Sequence, residues 1–182
     1  MKFFGFTLSI FLLFNTAAHA QQSISREFDS RVGASVAIKN FYGKVFVSAE
    51  EAQGDKAVLS VESPKEIAEK DLKISNKDGR LEISVNPSDE KTRIDLTLKI
   101  PLRSRVRIET RGGEVRVAGN LESAEVTTET GTISTDVPLD SVKYNFLWTV
   151  SRPRYLSDVP LPEEVKEKSG GRFSLSGKLG EA

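Results

Sequence analysis

The chain has 182 residues, with 26 basic and 26 acidic side chains, one histidine, one methionine and no cysteine. A balance this even gives no electrostatic case for nucleic acid or an anionic lipid surface, both of which need clustered positive charge. His19 and Met1 fall within the first 20 residues; the remainder therefore lacks imidazole, thiol and thioether, which removes nearly every zinc, copper or haem site and the His-assisted nucleophiles, and no cofactor is expected.

Residues 1–20 read as a cleavable export leader. Lys2 is followed by an uncharged apolar run from Phe3 to Phe14, and then by Ala18-His19-Ala20 ahead of Gln21. Small residues at Ala18 and Ala20 suit a signal peptidase cutting before Gln21. The apolar run is shorter than the roughly 20 residues that span a bilayer. Export to the periplasm, the cell surface or the medium is expected, with no stable membrane insertion after cleavage.

Removing the leader leaves 162 of the 182 residues, enough to bury a core without disulfides. Residues 21–140 are predicted to form a β-repeat domain. Val36-Ala37-Ile38-Lys39-Asn40-Phe41-Tyr42-Gly43-Lys44-Val45-Phe46-Val47 alternates apolar with other residues, bends at a glycine, and alternates again. The pattern recurs over Leu72–Ile83 and Val106–Val117, and, in a shorter copy, over Val126–Ile133. Each half has the period of a half-buried strand. The Asn and Gly positions mark bends, because those residues tolerate positive φ. The 20 residues from Val106 to Val126 suit successive coils of a β-solenoid or a stack of hairpins.

Between repeats, Ala57–Val61 and Ile94–Ile100 read as strands. A short helix is predicted over residues 64–70, with Ser63 as its cap, Pro64 in its first turn and Glu66 completing a capping box. The segment 141–182 opens with an aromatic capping strand, Tyr144–Val150. An extended Pro- and charge-rich linker follows, and then a terminal strand, Gly170–Gly177. The fold class is therefore all-β, built of repeated glycine-punctuated hairpins in a solenoid-like or stacked-sheet domain.

These repeats, with Leu98-Lys99-Ile100-Pro101 and the run Val106…Gly113-x-Val115-x-Val117-x-Gly119, resemble the bacterial putative-adhesin domain family over roughly residues 36–137. The resemblance implies a secreted or membrane-tethered β-solenoid-like protein and carries over no catalytic residue. The stretch from Tyr144 to Gly177 lies outside that pattern and resembles the lead-in to further domains in larger exported proteins.

Phe41 and Tyr42, at the tip of the first bend, are candidate binding residues because loop-tip aromatics have no core to fill. Tyr144, Trp148 and Tyr155 are candidates as a stacking platform, against the alternative that they cap the end of the core. The expectation is a non-enzymatic adhesion, scaffolding or binding module with a protein or glycan partner at the cell surface. The alternatives are a carbohydrate-binding or carbohydrate-active protein and an assembly module of a larger exported protein. An open edge strand would invite self-association.

Overall fold

Alternation of Val, Ile and Leu with polar residues yields strands that bury one face each, and here two open mixed sheets bring those faces together across one core. The computed structural model describes residues 22–51, 54–87, 89, 92–136, 141–158 and 162–180. The leader and its cleavage positions Ala18, Ala20 and Gln21 lie outside the described residues. In spatial order the seven-stranded sheet is β1 (Gln22–Asp29), β4 (Lys56–Ser63), β7 (Asp95–Ile100), β3 (Val45–Ala49), β9 (Glu114–Gly119), β11 (Thr132–Asp136) and β13 (Arg154–Ser157). The eight-stranded sheet is β14 (Lys166–Lys168), β15 (Arg172–Gly180), β12 (Ser141–Trp148), β10 (Ser123–Thr128), β8 (Arg105–Thr110), β2 (Ser35–Asn40), β6 (Arg80–Val85) and β5 (Leu72–Lys77).

Both sheets share a parallel centre. β7-β3-β9-β11-β13 in one and β6-β2-β8-β10-β12 in the other run in the same order, and every neighbouring pair within them is parallel. The architectural unit is thus a strand in the eight-stranded sheet, a corner, and a strand in the seven-stranded sheet. Antiparallel strands flank these centres: β1 and β4, β5, and β15 with β14. The units do not stack in chain order, since β6–β7 lies outside β2–β3.

This geometry corrects the hairpin reading of the repeat. In three of the four copies the two halves belong to opposite sheets: β2 and β3, β8 and β9, β10 and β11. Only Leu72–Ile83 is a hairpin, β5 with β6. Its two-residue loop is Asp78 and Gly79, with φ of 53° and 73°, the doubly positive conformation that matches the twist of paired strands.

At the corners the repeat residues act through packing and hydrogen bonds rather than through φ alone. Asn40 is buried; its Nδ2 donates to the Ile94 carbonyl at 2.8 Å, and its Oδ1 accepts from Gly43 N–H. Thr128, at the same place in its unit, accepts from Gly131 N–H at 2.9 Å. Gly43 and Gly131 do not have positive φ. They are small because a Cβ on Gly43 would lie 1.7 Å from the Ile94 carbonyl oxygen, and one on Gly131 2.8 Å from that of Gly113.

Register also corrects the fourth repeat. Ala124 pairs with Val106, Val126 with Ile108 and Thr128 with Thr110. The copy therefore begins at Ala124, is full length, and lies 18 residues beyond its neighbour rather than 20.

The predicted helix is replaced by a single 3-10 turn, Glu69–Asp71. Ser63 is buried at the end of β4 and its Oγ accepts from Lys65 N–H, a local turn, while Asp71 accepts from Ala68 N–H. Three residues give too few backbone bonds to repay helix nucleation. Within the segment read as a linker, Arg154–Ser157 forms β13 against β11.

Candidate functional site

Because β2 buries Val36, Ile38 and Asn40, residues Ser35, Ala37 and Lys39 point outward from the eight-stranded sheet. Ala37 stands between Glu82 on β6 and Arg107 on β8. A methyl group between long side chains leaves a depression. The result is a groove of about 320 Å³ over Ala37, Ser75 and Ser84, walled by Lys39, Lys73, Glu82, Arg107 and Glu109. Surface ion pairs brace its walls, with Lys39 Nζ 3.3 Å from Glu109 and Arg80 Nε 2.7 Å from Glu82.

Phe41 and Tyr42 follow at the end of β2, on the corner that bounds this face. Both are half-buried. Lys39 Nζ and the Arg111 guanidinium each lie 4.9 Å from the Phe41 ring centroid, a cation–π arrangement that fixes the ring. Tyr42 packs edge-on to Phe41 at 6.3 Å, and Arg111 Nη1 donates to its hydroxyl at 3.0 Å. Arg111 Nε also lies 3.4 Å from Glu129. The aromatic tip is thus held by Lys39 of its own unit and Arg111 of the next.

The other aromatic candidates lie elsewhere. Trp148 is 0% exposed and Tyr144 5%. Tyr144 packs on Phe146 at 5.7 Å and Phe146 on Tyr155 at 5.8 Å, crossing from one sheet to the other. Tyr155 is half-buried, with its hydroxyl 2.6 Å from Thr135 Oγ1. The cluster fills the core between β12, β11 and β13. Burial, and next the charge of Glu163, hold the Tyr144 phenol above its ordinary pKa.

The groove residues were not singled out in the sequence, although a signal existed. Ala37 occupies a position where other repeats carry Lys73 and Arg107. The structure brings Phe41 and Tyr42 to the rim of the face that bears the groove and keeps Tyr144, Trp148 and Tyr155 apart from it.

Among the described residues no helix is long and apolar enough to cross a membrane. No family model matches the chain, and no curated protein does. Several solved structures are similar to it. One is a putative cell adhesion protein from Clostridium sporogenes, 15% identical with a TM-score of 0.46 over 68% of this chain and 76% of that one. A putative lipid binding protein from Parabacteroides distasonis is 13% identical with a TM-score of 0.34, over 65% and 60% of the respective chains. A putative adhesin from Bacteroides fragilis is 12% identical with a TM-score of 0.28, over 75% and 93%. Names of the adhesin type recur among these structures.

Proposed function

We propose that the chain is an exported, non-enzymatic module that binds a protein or glycan at the cell surface, in adhesion or envelope scaffolding. The observation that carries this reading is the outer face of the eight-stranded sheet, where the groove over Ala37 lies beside an aromatic corner clamped by Lys39 and Arg111. Aromatic side chains held in place make good anchors because little rotamer freedom remains to be lost on binding. The leader pattern of residues 1–20 supports export. The five strand–corner–strand units, in one order in both sheets, support a solenoid-like body presenting that face.

The test is binding of the purified chain to cell-envelope fractions, wild type against Phe41→Ala/Tyr42→Ala. The reading predicts loss of about tenfold or more in affinity, as for interface anchors. Unchanged binding by the variant would reject this face. A hydrolytic activity lost on Glu109→Gln would reject the non-enzymatic assignment.

A further inference from the structure

The basic residues are scattered along the chain, yet strand pairing gathers five of them into one line. Lys77 is the register partner of Arg80, and Arg80 of Ser35. Ser35 is paired with Arg105, and Arg105 with Ser123. Ser123 is paired with Lys143, and Lys143 with Lys178. On six of the seven strands a residue adjacent in sequence is buried on the core side, and Lys77 shares the face of its register partner Arg80, so the row lies on the outer face of the eight-stranded sheet, crossing seven strands without a carboxylate. Arg80 is engaged by Glu82 at 2.7 Å in the next row. Among the described residues, Lys77, Arg105, Lys143 and Lys178 form no ion pair. A second depression, of about 350 Å³, opens along the row between Arg80, Ser35, Arg105 and Ser123.

We infer that this row binds a linear anionic polysaccharide laid across the strands. The inference rests on the surface-binding reading and names a partner class for the same face. Neighbouring strands are about 5 Å apart, so Arg80, Arg105 and Lys143, each two strands from the next, stand about 10 Å apart. A polymer with an anion on alternate units matches that period. Its uncharged units lie over Ser35 and Ser123, whose hydroxyls both donate and accept toward sugar hydroxyls. Nucleic acid fits poorly, because its phosphates are far more closely spaced. The row also offers no aromatic side chain on which a base could stack.

The test titrates the full chain with hyaluronate, which carries a carboxylate on alternate units, with polygalacturonate, which carries one on every unit, and with neutral dextran and a single-stranded oligonucleotide. The inference predicts binding to hyaluronate, weakening about tenfold or more between low and near-physiological salt. Arg105→Ser/Lys143→Ser should cost about another tenfold, whereas Lys56→Ser/Lys99→Ser on the other sheet should cost nothing. Preference for hyaluronate over polygalacturonate supports the alternate-unit spacing, and tighter binding of polygalacturonate would overturn it. Equal binding of neutral dextran, tighter binding of the oligonucleotide, or indifference to Arg105→Ser/Lys143→Ser would overturn it. A chain that binds envelopes but neither anionic glycan defeats this inference and leaves the wider reading standing.

Discussion

Trp148 occupies the rung beside Thr128 and donates its indole N–H to the carbonyl of Gly131 at 3.0 Å. One unit earlier that corner is tied by Thr128 Oγ1, which accepts from Gly131 N–H. The indole thus continues the polar ladder of Asn40, Thr110 and Thr128 while its ring closes the core. Trp148→Phe keeps an aromatic ring, removes the donor and leaves a small gap where the bicycle was. The buried carbonyl then loses its partner, so a loss of about 1–3 kcal/mol is expected in urea unfolding. Trp148→Ala should cost about 3–5 kcal/mol, the difference reporting the larger cavity.

The corner glycines should rank by space rather than by φ. Gly43→Ala drives a Cβ into backbone at 1.7 Å and should cost about 3 kcal/mol or more. Gly131→Ala meets Thr128 Oγ1 at 2.6 Å and Gly113 O at 2.8 Å, for about 1–3 kcal/mol. Gly112→Ala meets only Thr130 Oγ1 at 3.4 Å and should fall within about 0.5 kcal/mol of wild type. Thermal unfolding of the three variants gives the order.

Tyr144 predicts an alkaline dependence. Burial first, and Glu163 second, raise its pKa above the ordinary 10.0. The unfolded phenol ionises near that ordinary value while the folded one stays neutral, so the unfolded state binds fewer protons there. The contribution is fully present below pH 10.0 and is lost as pH rises through the folded pKa. Tyr144→Phe should flatten the stability profile above that point and leave it little changed at neutral pH, as read by urea unfolding at stepped pH.

The absence of cysteine from the chain makes strand pairing directly testable. Arg107 and Glu125 are register partners on adjacent parallel strands. Arg107→Cys/Glu125→Cys should oxidise to a disulfide in the folded chain, since neighbouring strands place Cα atoms within bridging range. A hairpin would instead pair Thr127 with Thr132. Thr127→Cys/Thr132→Cys should remain reduced because those residues belong to opposite sheets. Mass spectrometry after mild oxidation distinguishes the two.

Much of this fold was legible in the sequence, because alternation named the inward residues: Val36 and Ile38, Val45 and Val47, Val106 and Ile108 are all buried. Partner choice was not. Leu72–Ile83 carries the same pattern as Val36–Val47, yet Asn76 is exposed while Asn40 is buried, and one segment forms a hairpin where the other switches sheets. That difference depends on corner packing against residues far along the chain, such as Ile94, which no local pattern encodes. Ala124 is not legible as an inward position because alanine is a weak apolar signal. Of the candidate site, Phe41 and Tyr42 were readable as loop-tip aromatics, whereas the cationic row was hidden because its five basic residues come from five different strands.

The most direct test of the surface-binding account is hydroxyl-radical footprinting of the chain with and without cell-envelope fractions. Protection is predicted on the outer face of the eight-stranded sheet, at Lys39, Phe41, Tyr42 and Arg105, with no change at Phe46 or Lys99 on the other sheet. Protection confined to the seven-stranded sheet, or none on either face, would contradict it.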